Sequence, residues 1–298
     1  MRVVALLLAG IVLAVAPVPS PSHLGLPFYG PDNIVVDARG DIFVTDSDHR
    51  RNFRVIEFTS GGAYVTEWHV FRVAPAPSGA EGIAIDRRGQ IFVTDAGAHR
   101  VLELSASGKV LAVFGGNGIF VNPGHVAVDE RGFVYVSDAA ANAVTLFSPD
   151  GRIVESWRLA RANGRGEYAG VESIALSPRG TLYAEDWRNH RILELRRNSA
   201  MIVAWRTGSG DDRVAVSAGI AVDRSGRVYV ADWGRHRIQI FGPVGAFLET
   251  IANRKNATPR FVKGPTSVYV DGAGRVYYAD GDSVRVLDAT GRLIRVIG

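Results

Sequence analysis

Residues 219–232 read GIAVDRSGRVYVAD. An apolar triplet ends on Asp223, two residues lead to Gly226, and a second apolar run closes on Asp232. Two short apolar segments around Asp-x-x-Gly are the signature of a hairpin, not of a helix. The Asp carboxylate accepts from backbone N–H groups of the turn, and the glycine takes the positive φ that the turn demands.

The same string returns five more times: NIVVDARGDIFVTD from Asn33, GIAIDRRGQIFVTD from Gly82, HVAVDERGFVYVSD from His125, SIALSPRGTLYAED from Ser173 and SVYVDGAGRVYYAD from Ser267. The closing aspartates are Asp46, Asp95, Asp138, Asp186, Asp232 and Asp280, 43–49 residues apart. After each comes a short polar loop, then a third strand such as RVLELS or RIQIFG, a turn and a fourth strand such as VLAVFG or LIRVIG. Four short strands per repeat of this length predict a propeller blade. The fold expected is all-β, a six-bladed β-propeller with four antiparallel strands per blade, over residues 23–298. The first and last repeats each hold four candidate strands, so the ring is expected to close at a repeat boundary. His23 to Gly30 remain available as a short added strand.

Composition agrees. Hydrophobic residues make up 47% and charged residues 21%, enough to bury a core, and 34 glycines serve many turns. There is no cysteine, so disulfides, thiolate chemistry and cysteine metal sites are excluded. A net charge of +4, with 34 basic and 30 acidic residues and no run of five or six like charges, describes a mixed surface and does not point to nucleic acid.

The N-terminus departs from the repeat. Arg2 precedes an apolar run from Val3 to Ala16, and Pro17, Pro19 and Pro21 follow. Residues 1–20 are expected to be a signal peptide or an uncleaved anchor, which implies a secreted or periplasmic protein in the first case and a membrane-tethered one in the second. The membrane enters only through that segment.

The recurring pattern resembles the NHL-repeat family. The fifth repeat carries it best, through Gly219-Ile220-Ala221-Val222-Asp223, Val228-Tyr229-Val230-Ala231-Asp232 and His236-Arg237-Ile238, with the fourth contributing Asp186-Trp187-Arg188-Asn189-His190-Arg191-Ile192. The resemblance implies the propeller and little about function.

Whatever differs between copies is where a site is expected, on the face carrying the inter-blade loops and the loops between second and third strands. At its inner rim the heads of the first strands read Asp32-Asn33, Glu81-Gly82, Gly124-His125, Glu172-Ser173, Ala218-Gly219 and Thr266-Ser267. Asp32, Glu81 and Glu172 are candidate oxygen ligands for Ca²⁺, with water in a polar channel the other reading. Farther out, Trp187 and Trp233 are candidate stacking platforms, or rings packed between blades. His125, Arg165 and Arg213 complete the candidate ligand-binding set. His99, His190 and His236 share one repeat position beside Arg100, Arg191 and Arg237, and are expected to form a polar pair that closes the loop.

The expected function is a binding module for a protein, peptide or small anionic ligand, in a monomer. The alternative is a metal-dependent enzyme. Similarity to peptidyl-hydroxyglycine lyases implies three zinc-binding histidines, of which only His125 has a counterpart. Similarity to gluconolactonase-like propellers implies a calcium site, for which Glu81, Asn33 and Asp32 are available.

Overall fold

The computed structural model describes residues 28–47, 53–69, 82–116, 118–159, 170–186, 189–197, 202–207, 214, 217–252 and 263–298. It contains six four-stranded antiparallel sheets, each built from strands consecutive in the chain. The first blade is β1 (Pro31–Val36), β2 (Ile42–Ser47), β3 (Phe53–Phe58) and β4 (Tyr64–Trp68). The second is β5 (Ile83–Ile85), β6 (Ile91–Asp95), β7 (Arg100–Leu104) and β8 (Val110–Gly115), and the third β9 (Pro123–Val128), β10 (Val134–Asp138), β11 (Ala143–Phe147) and β12 (Ile153–Arg158). The fourth runs through β13 (Val171–Leu176), β14 (Leu182–Asp186), β15 (Arg191–Leu195) and β16 (Ile202–Arg206). The fifth comprises β17 (Ser217–Val222), β18 (Val228–Asp232), β19 (Arg237–Phe241) and β20 (Phe247–Ala252), and the sixth β21 (Pro265–Val270), β22 (Val276–Asp280), β23 (Ser283–Leu287) and β24 (Leu293–Ile297).

The innermost strands β1, β5, β9, β13, β17 and β21 each touch the next, and β21 touches β1, so the ring closes. No strand is exchanged between the first and last sheets. Their junction is held by the Thr266 hydroxyl on the Pro31 carbonyl (3.3 Å), the Tyr269 hydroxyl on the Val36 carbonyl (3.1 Å), and a shared core that includes Ile34, Ile56, Tyr277 and Val284. The expectation of a repeat-boundary closure holds. Most of His23–Gly30 lies outside the described residues, and Phe28 is buried in that shared core.

Each blade interface is a separate apolar layer, because alternate residues of a strand face opposite sides of its sheet. Trp68, Trp157 and Trp205, near the ends of fourth strands, pack against Phe43, Tyr135 and Tyr183 of their own blades, with ring centroids 5.5–6.5 Å apart.

The turn chemistry is as the sequence predicts. Asp37, Asp86, Asp129, Asp223 and Asp271 each accept from two backbone N–H groups of the hairpin, and Ser177 accepts from Thr181. Gly40 and its five counterparts have φ between 75° and 90°.

The closing aspartates do a second job. In four blades the carboxylate is bonded by the Nε of the arginine that opens, or nearly opens, the third strand: Arg54 to Asp46 (2.7 Å), Arg100 to Asp95 (2.9 Å), Arg191 to Asp186 (2.7 Å) and Arg237 to Asp232 (2.8 Å). In the sixth the Arg285–Asp280 pair is looser, at 3.7 Å. The third blade has Ala143 at that place, and Asp138 instead accepts from the backbone of Val121, Asn122 and Ala141.

This corrects the expected histidine–arginine pair. The arginines bond to aspartate, while His99, His190 and His236 hold left-handed backbone (φ 50–55°), as Asn142 does in the third blade. They recur because a residue is needed that tolerates that conformation in a tight loop. Among the described residues, no helix is long and apolar enough to cross a membrane.

Candidate functional site

The inner strands are regular except at the loop-face end. There the register with the second strand slips: between Pro31 and Asn33, between the partners of Val136 and Asp138, between Val171 and Ile174, between Ser217 and Gly219, and between Pro265 and Ser267. The residues carried by these bulges are the variable pairs of the repeat: Asp32, Gly124-His125, Glu172-Ser173, Ala218 and Thr266. A bulge bends the strand and re-aims a side chain. Repeated around the ring, it delivers unlike residues to one axial mouth.

Facing the heads of the inner strands, five of them bulged, the second strands present one column: Thr45, Thr94, Ser137, Glu185, Ala231 and Ala279. The first three hydroxyls accept the inner-strand N–H of Asn33 (3.0 Å), Gly82 (2.8 Å) and His125 (2.8 Å). The fourth blade places a carboxyl in this column. Glu185 is 1% exposed and its Oε2 has no hydrogen-bond partner. Burial, reinforced by the charges of Glu172, Asp232 and Asp186, pushes it up to about 8 against the lowering effect of the Ser217 hydroxyl.

His125 is the centre of the mouth. The Asn33 side-chain oxygen accepts from the Ile34 N–H (2.9 Å), so its NH₂ faces the imidazole and donates to Nδ1 at 3.1 Å. The Ser173 hydroxyl accepts from the Ile220 N–H (3.0 Å) and sits 3.2 Å from the same Nδ1. With the Asn33 amide donating to Nδ1, that nitrogen is the acceptor and the ring proton is assigned to Nε2. Burial pushes this histidine down to about 4, so it is neutral across the physiological range. Asn33 comes from the first blade, His125 from the third and Ser173 from the fourth, so the cluster spans the axis.

Below the mouth runs a channel of about 170 Å³ walled by all six inner strands. Its lining is Asn33 and His125 at the polar end and then Ala, Val, Ile and Leu, with Tyr269 alone of its kind; no charged side chain contributes.

Asp32 lies one residue from Asn33 and accepts from the Ser47 hydroxyl at 2.8 Å. Burial, with the nearby charge of Asp46, raises it to about 7. Glu172 is exposed, and its backbone carbonyl accepts from Ser137 at 2.9 Å. Trp233 is 45% exposed on the loop face, on a short 3-10 turn. Glu81, Trp187, Arg165 and Arg213 lie outside the described residues. Among the described residues, no three His, Asp or Glu side chains gather around one ion position. The partners that His125 does have, Asn33 and Ser173, are neutral.

Residues 218–241, which contain the best copy of the repeat, match the family model for the NHL repeat. The molecule is a six-bladed β-propeller whose fifth blade carries an NHL repeat. No curated protein matches the sequence. Among solved structures, virginiamycin B lyase from Staphylococcus aureus superposes on this propeller with a TM-score of 0.64 at 13% identity, over 90% of this chain and 86% of that one. A gluconolactonase from Xanthomonas campestris gives 0.64 at 18%, over 95% and 98%. A chain of a nidogen/laminin complex gives 0.62 at 17%, over 86% and 92%. At such identities the likeness is one of fold, and this propeller shares its frame with enzymes and with a chain of a nidogen/laminin complex alike.

Sequence reasoning named His125, Asp32 and Glu172 and noted the Asn33 and Ser173 positions beside them. It missed Glu185. The signal was present as an acid in a column otherwise filled by Thr, Ser and Ala.

Proposed function

We propose that this NHL propeller is an exported binding module that takes a small ligand at the axial mouth of its loop face. The observation that carries this reading is the His125 cluster. Neutral side chains from two blades, Asn33 and Ser173, hold the imidazole of a third, with its Nε2–H as donor, at the head of an apolar channel. A concave, mostly apolar cavity with a few convergent polar groups is the usual form of a small-molecule site. Export rests on residues 1–20 alone, and the basic residues Arg165 and Arg213 would favour an acidic partner.

The test is a small-molecule thermal-shift screen run in parallel on the wild type, His125→Ala and Ser173→Ala. Ligands whose stabilisation is lost in both variants support the axial site. Ligands that stabilise all three proteins equally place binding elsewhere and overturn it.

A second reading follows from Asp32. A carboxyl held near neutrality beside a pocket suits general acid–base work, and solved structures of similar fold include a lyase and a gluconolactonase. In this reading Asp32 handles the proton, while Glu81 and Glu172 would supply oxygen ligands to calcium. Lactone hydrolysis with added calcium, lost in Glu81→Gln and Asp32→Asn, would support it. Unchanged turnover in Glu81→Gln would remove calcium from the mechanism.

A further inference from the structure

One position in the channel breaks the repeat. The second residue of the apolar triplet lines the channel in every inner strand and packs toward the next blade, and it reads Val35, Ala84, Ala127, Ala175 and Ala221 in the first five blades. In the sixth it is Tyr269. Its ring does not stay with its own blade. The hydroxyl donates to the Val36 carbonyl, at the far end of β1, and the ring packs against the core between the sixth and first blades and against the one between the first and second. Tyr277 lies edge-on to it, with centroids 6.2 Å apart. The side chain therefore leans from the sixth blade across the first toward the second, at the end of the channel remote from His125. Burial raises its phenol above the ordinary range, as expected for a group enclosed by protein and not standing in open solvent.

We propose that Tyr269 is the floor of the axial pocket and sets the length of ligand it accepts: a neutral molecule with one hydrogen-bonding head at His125 and an aliphatic stem directed down the channel. The inference rests on the axial-mouth reading and specifies its ligand class. The stem is aliphatic because the walls are Ala, Val, Ile and Leu without a charge. The head is neutral because a neutral imidazole N–H offers one donor and no countercharge. Tyrosine fits a floor better than phenylalanine, since its hydroxyl is anchored on a backbone carbonyl.

Straight-chain primary alcohols from propanol to decanol are the probe. Their binding is measured by calorimetry or ligand-observed NMR on the full chain. In the wild type, affinity is expected to rise about fourfold per methylene and then stop at a fixed chain length. In Tyr269→Ala, or in Tyr269→Val if the alanine variant is poorly folded, the rise should continue for at least two further methylenes. Tyr269→Phe should keep the wild-type limit. His125→Ala should weaken every alcohol by a similar factor and leave the limit in place. A chain-length limit that is the same in all Tyr269 variants overturns the floor and spares the site. Absence of any alcohol binding that depends on His125 overturns the axial site with it.

Discussion

A side chain on Gly82 would place its Cβ 2.7 Å from the Cα of His125 and 2.5 Å from the Gly124 carbonyl oxygen. Neither neighbour is the end of a flexible side chain, so the inner strands of the second and third blades meet here at backbone distance only because Gly82 has no Cβ. The position of the imidazole is thus set partly by a glycine of another sheet.

Replacing Gly82 by alanine is expected to cost about 2–4 kcal/mol, the range of backbone clashes in a packed core, and to displace His125. Urea denaturation measures the first effect and the imidazole NMR signals the second. Gly242→Ala is the control, because the nearest atom to its new Cβ is 3.7 Å away. A loss at Gly242 equal to that at Gly82 would show that close strand approach is not the cause.

His125 should remain neutral from pH 8 down to about 5 and carry its proton on Nε2. Nitrogen NMR of the imidazole reads both the tautomer and the titration. Its folded value lies below the ordinary one, so the neutral form is favoured by folding, and the stability this gives is lost as pH falls from about 6.5 toward 4. His125→Gln should remove that part of the acid sensitivity. A normal titration near 6.5 would contradict the enclosed, doubly hydrogen-bonded ring.

Glu185 predicts the opposite slope. Its folded value is raised from 4.5 to about 8, so the folded state holds a proton that the unfolded chain has released. Stability should fall as pH rises through that interval and level off above it. Asp32, raised to about 7, adds to the same slope over a narrower range. Glu185→Gln is expected to be more stable than wild type at pH 8–9 and close to it at pH 4.5, measured by thermal denaturation. Equal stability at both ends of the range would mean that Glu185 is solvated.

The arginine–aspartate pairs divide by burial. The Asp186 side chain is fully buried and Arg191 is 23% exposed, whereas the Arg292 and Asp288 side chains are 76% and 26% exposed. Arg191→Met leaves a buried carboxylate with, among the described residues, the Asn189 amide as its side-chain partner. It should cost about 2–4 kcal/mol, against less than about 1 for Arg292→Met. Chemical denaturation of the two variants side by side decides it.

The ring was legible because the repeat is carried by residues with backbone duties. Asp37 and Gly40 make a turn by themselves, and a motif that recurs six times counts its own blades. The inner-rim pairs were legible by their failure to recur, and the bulges show why: a residue outside the hydrogen-bonding register is freed from the repeat's constraints. What stayed hidden depends on partners from other blades. Nothing near Arg191 in the sequence says that its partner is Asp186 and not His190, because both flank the same loop. Nor does any local signal join Asn33 to His125, 92 residues apart. The tautomer, and with it the character of the mouth, follows from that contact.

Among the described residues, the first and sixth sheets are fastened by side chains and by the Thr266 and Tyr269 hydroxyls, and no strand passes from one to the other. Every other junction is also spanned by the chain itself. A ring sewn in this way has one seam, and partial opening under heat or force should start between Pro31–Trp68 and Pro265–Ile297 before any other pair of sheets parts. Phe28 packs beside Gly298 at that seam. A covalent link from one to the other would turn the weakest joint into an ordinary one, and would allow the circle to be cut elsewhere without changing its shape.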